Sequence, residues 1–175
     1  MPSGTRKEGT MALQGLKAYL DQEHVKYVTI THSPAHTAQA IAAAAHIPGK
    51  EMAKTVMMKV DGEMVMVVLP ASMKVNTGRL LDATGADEVD VAHEAEFKDL
   101  FPDCAVGAMP PFGNLFGLRT FVAEELAEDE EIAFNAGSLT ELIRMRYRDY
   151  ARLVQPRTLP FRITCSAGNG AGHLV

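Results

Sequence analysis

The chain has 175 residues, 47% hydrophobic and 22% charged, the proportions of one folded domain rather than a disordered chain. Its two cysteines, Cys104 and Cys165, are too few for a disulfide framework or a four-thiolate zinc site, and no apolar run reaches the ~18 residues of a membrane span. The formal charge of −5 argues against broad nucleic-acid binding and leaves room for a local basic patch.

Residues 1–10 are polar, lack the apolar stretch of a signal peptide and read as a flexible N-terminal tail of a cytoplasmic protein. Residues 156–175 carry Pro156, Pro160, Gly168, Gly170 and Gly172 and read as a flexible C-terminal tail, with one docked patch around residues 159–163. The folded body is then residues 11–155.

Leu13, Leu16 and Leu20 have helical spacing, so a helix is expected over 11–24. Residues 25–31 are β-branched and aromatic and read as a strand. The alanine-rich stretch 37–46 reads as a helix capped by Thr37 and stopped by Pro48 and Gly49. Asp61 and Gly62 then separate two apolar runs, 55–60 and 63–69. That is a two-residue hairpin signature, because both turn positions need positive φ.

Asn76 or Thr77 is expected to cap a helix that ends at Gly85. A short strand follows at 88–92, a short helix at 94–101, and a loop dense in Gly and Pro at 104–117. Strands are expected at 118–123 and 131–135, joined by an acidic turn. Ile143, Met145 and Tyr147 alternate with Arg144, Arg146 and Arg148, which is strand periodicity. Asp149 is expected to cap a last helix through Leu153. The sum is an α/β fold with a mixed, curled sheet flanked by helices.

Several local patterns carry no chemistry. His32 and His36 are four apart, but Pro34 between them forbids the helix that a zinc pair would need. Gly168, Gly170 and Gly172 resemble a phosphate loop in composition only, with no strand before them. Cys104 reads as a buried small residue, with a reactive thiol as the alternative beside a Gly-rich loop. No metal site and no cofactor is expected.

Two elements stand out. Lys54 opens a buried strand, where it either snorkels to the surface or holds a cation at a pocket mouth for a phosphate or carboxylate. The second is the run Gly107, Ala108, Met109, Pro110, Pro111, Phe112, Gly113. The prolines fix φ and remove two N–H donors, and the glycines allow close backbone approach. The N–H groups of Gly107, Ala108 and Met109 then form a stiff set of donors for a carbonyl oxygen or carboxylate.

With these residues in place, the chain resembles the YbaK family, a domain also associated with aminoacyl-tRNA synthetases, especially prolyl-tRNA synthetase. The resemblance spans about residues 16–156. It includes His32 with Pro34 and Thr37, Ala53-Lys54-Thr55-Val56, Leu69-Pro70-Ala71, Phe101-Pro102-Asp103-Cys104, the 107–113 loop, Asn135-Ala136-Gly137, and Asp149-Tyr150 with Arg152-Leu153.

The resemblance implies a curled, barrel-like mixed sheet and hydrolysis, in trans, of the ester of a wrongly charged tRNA. Lys54 would anchor the 3′-terminal adenosine or its phosphate. The loop's N–H groups, first that of Gly107, would hold the aminoacyl group while water attacks, assisted by the substrate's 2′-hydroxyl. His32, Asn135 and Gly137 would join Ala108, Met109, Pro110, Pro111, Phe112 and Gly113 in binding substrate, with no metal. The partners implied are the tRNA acceptor end and a synthetase. Met109 and Phe112 as pocket walls suggest a small amino acid such as Ala, Ser or Thr. Leu139 stands where several relatives place a histidine, so one imidazole contact is absent. A non-catalytic module that binds aminoacyl-tRNA ends or a synthetase is the alternative.

Overall fold

The computed structural model describes residues 10–105 and 107–161. In chain order the helices are α1 (Thr10–Gln22), α2 (Ala38–Ala44), α3 (Thr77–Thr84), α4 (Glu94–Phe97), α5 (Glu124–Ala127) and α6 (Tyr147–Val154). The strands are β1 (Tyr27–Thr31), β2 (Met52–Val60), β3 (Glu63–Pro70), β4 (Val89–Val91), β5 (Arg119–Ala123), β6 (Glu131–Asn135), β7 (Glu141–Arg146) and β8 (Arg157–Leu159). Short 3₁₀ turns span Lys98–Leu100 and Gly113–Phe116. None of the described helices is long and apolar enough to cross a membrane.

The local signals act where the chemistry requires. Asp61 (φ 49°) and Gly62 (φ 81°) both take positive φ, and β2 and β3 pair antiparallel from Ala53 with Pro70 to Val60 with Glu63. Asp61 also ties down the next element, because its Oδ1 accepts from the N–H groups of Asp87 (3.0 Å) and Glu88 (2.9 Å). Thr37 caps α2 by accepting from Ala40 N–H at 3.1 Å. Asn76 caps α3 by accepting from Arg79 N–H at 3.2 Å, and Gly85 (φ 67°) closes that helix by donating to Leu81 O.

All eight strands form one mixed sheet in the order β1-β7-β6-β2-β3-β5-β8, with β4 also paired to β2. The order ends at β1 and β8 without closing on itself. β2 runs parallel to β6, β3 to β5, and β5 to β8, and the remaining pairs are antiparallel. The mixed, flanked sheet agrees with the expected class.

Two apolar clusters flank the sheet. The larger one includes Leu16 and Leu20 of α1, the hairpin residues 65–69, Phe121, Phe134, Ile143 and Tyr150. The smaller one packs Ile41 and Ala42 of α2 on Met52, Ala133 and Leu142. Burial on both faces explains the nearly continuous Val and Met of the hairpin.

Four expectations are corrected. The acidic run after β5 begins with α5, because Glu124 and Glu125 sit in its first turn, where carboxylates favour the helix N-terminus. The alternation after Ile143 stops at Arg146, and Tyr147 and Arg148 belong to α6. Asp149 therefore lies in the first turn of α6, whose N-cap is Arg146. Past Gln155, β8 adds a parallel strand to β5, with Leu159 and Phe161 buried. Those two residues fall in the expected docked patch. The N-terminal stretch 1–9, and residues 162–175 with Cys165 and the glycines, lie outside the described residues.

Candidate active site

The sheet is split at one place. β6 pairs with β2 only at Met52 and Ala53, and β4 pairs with the same strand only from Met58 to Val60. The carbonyl of Glu51 accepts from Ala133 N–H on this edge, and that of Met57 accepts from Ala92 N–H. Main-chain groups alternate along a strand, so Thr55, midway between them, turns its own toward the gap. Lys54 stands at the rim of this gap, and Asn135 ends β6 beside it, one step past the pairing of Ala53 with Phe134.

The loop 107–113 lies against both sides of the gap. On the β6 side, Ala105 N–H donates to Gly137 O (2.9 Å) and Gly137 N–H donates to Ala108 O (2.8 Å). On the β2 side, the Thr55 hydroxyl donates to Met109 O at 3.2 Å. Further along, Phe112 N–H donates to Pro110 O (2.8 Å), and the buried Tyr150 hydroxyl donates to Pro111 O (2.8 Å). Four successive carbonyls are thus all engaged by the protein.

A peptide plane points its C=O and the following N–H in opposite directions. With Ala108 O held by Gly137, the N–H of Met109 points away from Gly137. Of the three expected donors, Ala108 N–H is spent on Ala105 O at 3.0 Å. The N–H groups of Gly107 and Met109 have no hydrogen bond among the described residues. Gly107 is exposed with φ 78°, a conformation suited to glycine.

The far half of the loop is built into the core. Phe112 is fully buried and meets Tyr19, Phe134 and Tyr150 edge-on at centroid distances of 6.3, 5.5 and 5.4 Å. Gly113 is buried, and a Cβ there would collide with the Thr120 hydroxyl and come within 2.9 Å of Leu118 O. Pro110 and Pro111 are also buried. A cavity of about 30 Å³ lies beside the loop, lined by Phe97, Phe101, Cys104, Ala105 and Met109 among others.

Lys54 is half-buried, and no carboxylate pairs with it among the described residues. Burial lowers its pKa from the ordinary lysine value, and the nearby Lys74 ammonium lowers it further. Three other cations have acidic neighbours: Lys50 lies 3.8 Å from Asp129, Arg144 3.8 Å from Glu131, and Arg152 3.9 Å from Glu23.

Several buried polar atoms lack partners among the described residues, and the acceptors Asn135 Oδ1 and His32 Nε2 are among them. The Nδ1 of His32 sits 2.8 Å from Ser33 O, so Nδ1 carries the proton in the neutral ring and Nε2 presents its lone pair. His32 extends the β1–β7 ladder through its N–H to Thr140 O, and Asn135 pairs with Leu142. Alternation therefore sets His32 and Asn135 on one face of the sheet. Unmet buried polar groups of this kind are uncommon in folded proteins.

The geometry thus brings Lys54, Asn135, Gly137 and residues 107–109 around the gap, with His32 farther along the same face. Thr55 and Tyr150 were not anticipated as holders of the loop. Cys104, considered for reactivity, is half-buried, and burial with a contribution from Asp103 pushes its thiol up to about 11.

The comparisons with known proteins agree with this architecture. The model of the aminoacyl-tRNA editing domain matches residues 32–153. The Multifunctional Ser/Thr-tRNA deacylase ProXp-y of Escherichia coli (strain K12) is 31% identical over 163 residues, which cover 90% of this chain and 96% of that protein. The Proline--tRNA ligase of Leuconostoc citreum (strain KM20) is 27% identical over 135 residues, which cover 74% of this chain and 23% of the ligase. The crystal structure of a candidate trans-editing enzyme for prolyl tRNA synthetase superposes with a TM-score of 0.73 at 18% identity, covering 87% of this chain and 98% of that one. With a family model matched over most of its length and a full-length relative above 30% identity, the chain belongs to the aminoacyl-tRNA editing domain family.

Proposed function

We propose that the chain is an aminoacyl-tRNA deacylase that hydrolyses, in trans, the ester joining a wrong amino acid to the 3′ end of tRNA. The observation that carries the reading is Lys54, a half-buried ammonium without a carboxylate partner among the described residues, at the rim of the gap that the 107–113 loop borders. A cation kept without a counter-charge costs stability, and an anionic ligand is what offsets that cost. Lys54, with Lys74 near it, takes a phosphate of the terminal adenosine.

The open N–H groups of Gly107 and Met109 receive the ester carbonyl. As water adds to the carbonyl carbon, the oxygen gains negative charge and these donors stabilise it. The bond to the ribose 3′-oxygen then breaks, and that oxygen leaves with a proton. The substrate's 2′-hydroxyl assists this proton transfer. An aminoacyl ester is already activated, so positioning and oxyanion support suffice. His32 Nε2 and Asn135 Oδ1 accept hydrogen bonds from the aminoacyl group, such as those of its ammonium or a side-chain hydroxyl.

The chemical need is plain. A synthetase pocket gains only about 1–3 kcal/mol of discrimination from one methylene, so a second site must remove the smaller amino acids that slip through. The deacylase named for Ser and Thr among the relatives directs attention to small and hydroxylated residues. The substrate places the protein in the cytoplasm with translation, and a synthetase that releases the mischarged product is the natural partner. The test is to incubate the purified protein with tRNAs carrying Ala, Ser or Thr and to follow ester loss. Turnover above buffer for at least one is expected, and binding without hydrolysis of any mischarged tRNA would replace this reading with a recognition module.

A further inference from the structure

Among the described residues, the two peptide planes that flank Met109 are each held by a single hydrogen bond. The plane that carries the Met109 N–H is held through Ala108 O by the main chain of Gly137. The plane after it, between Met109 and Pro110, is held through Met109 O by the hydroxyl of Thr55 at 3.2 Å. The first bond is main chain to main chain and survives any side-chain change. The second depends on one hydroxyl.

We propose that Thr55 is a positioning residue of the deacylation reaction, setting the Met109 N–H at the place where the oxyanion develops. The proposal rests on the reading that this N–H receives the ester carbonyl. Thr55 follows Lys54 on β2, so one stretch of strand places both the cation and the loop that borders the gap. Pro110 has no N–H, so the plane it shares with Met109 has no donor of its own to anchor it. Without the hydroxyl, the Gly137 bond is the one hydrogen bond left among the described residues to hold the planes that flank Met109, so the aim of its N–H is set less tightly. Loss of aim weakens transition-state contacts more than ground-state binding, because the terminal adenosine remains gripped elsewhere.

The Thr55 side chain is half-buried, whereas Met109 is buried, so removing the hydroxyl leaves Met109 O without its partner. Thr55→Val keeps the shape and β-branching and removes the donor. Thr55→Ser keeps the donor.

The experiment measures kcat and KM for a mischarged tRNA, thermal midpoint, and amide hydrogen exchange at Met109 and Gly107 in the three proteins. Thr55→Val is expected to lower kcat about tenfold with KM nearly unchanged and a modest fall in the midpoint, and Thr55→Ser is expected to restore most of the rate. A Thr55→Val enzyme as fast as the unaltered protein, or a Thr55→Ser enzyme as slow as Thr55→Val, overturns the assignment. If the unaltered protein hydrolyses no ester, the functional reading fails separately. The role of Thr55 in holding the loop is then judged by exchange alone. Exchange at Met109 about tenfold faster in Thr55→Val and restored in Thr55→Ser supports it, and unchanged exchange contradicts it.

Discussion

The hydroxyl of Tyr150 donates to the carbonyl oxygen of Pro111 across 2.8 Å, joining the first half of α6 to the proline pair of the loop. Tyr150 is fully buried, and burial drives its pKa well above the ordinary tyrosine value, so its hydroxyl stays protonated as a donor at neutral pH. Tyr150→Phe leaves Pro111 O unsatisfied inside the core. The expected loss is about 1–3 kcal/mol of unfolding free energy, measured by urea denaturation. A variant as stable as the parent would mean that the loop does not depend on this bond.

Lys54 opposes stability and supports binding. Its pKa in the fold is lowered, first by burial and then by Lys74, so the folded protein releases this proton at a lower pH than the unfolded chain does. Between the two values the unfolded chain holds more protons, and Lys54 makes stability rise with pH across that alkaline window. Below it, including neutral pH, the charged form carries its full cost. Lys54→Met is therefore expected to raise the thermal midpoint at pH 7 while losing activity. The same shift predicts that KM climbs on the alkaline side earlier than an exposed lysine would allow. A midpoint that falls in Lys54→Met would contradict the assignment of an uncompensated buried charge.

In the proposed reading, Lys54 and the nearby Lys74 form a small cationic site on a chain of formal charge −5. A grip on few phosphates gives a shallow salt dependence, with a slope of about −0.7 per phosphate contact on single-stranded nucleic acid. Lys74→Ala is expected to reduce the slope of log K against log salt by about that amount, measured with uncharged tRNA. An unchanged slope would remove Lys74 from the site.

Cys104 is predicted to be unreactive in spite of its place beside the loop. With the thiol pushed up to about 11, roughly one molecule in a thousand carries the thiolate at pH 8. Alkylation of Cys104 by iodoacetamide is expected to be roughly two orders of magnitude slower than that of a free thiol, read by peptide mass. Rapid labelling would contradict the suppressed thiolate.

Much of the fold was legible where the cause is local. Asp61 and Gly62 dictate a turn by backbone conformation alone, and Asn76 and Gly85 bracket α3 with capping atoms that lie three or four residues from their partners. The segment after Ile143 was misread because two periodicities coincide there. Arg144, Arg146 and Arg148 alternate with apolar residues, yet Tyr147, Tyr150, Ala151 and Val154 also share a helical face, and the bond from Tyr147 N–H to Glu130 O marks where the strand ends. β8 was read as tail because its identity depends on the edge of β5, which lies far away in sequence.

The site divides in the same way. Lys54 and the Gly-Pro run are visible as residue types that restrict charge and backbone. The bonds that aim the loop join residues 54 and 39 positions apart, Thr55 with Met109 and Tyr150 with Pro111, and only the tertiary fold reveals them. The loss of Ala108 as a free donor is equally a tertiary result, set by the turn onto Ala105.

The most direct test compares the single-turnover rate of ester hydrolysis by the unaltered protein and by Lys54→Ala on a tRNA bearing a small wrong amino acid. Circular dichroism serves as the check that both are folded. The expected result is hydrolysis by the unaltered protein and a rate at buffer background for the folded variant. A folded Lys54→Ala protein that clears the ester as fast as its parent would contradict the role given to this ammonium group.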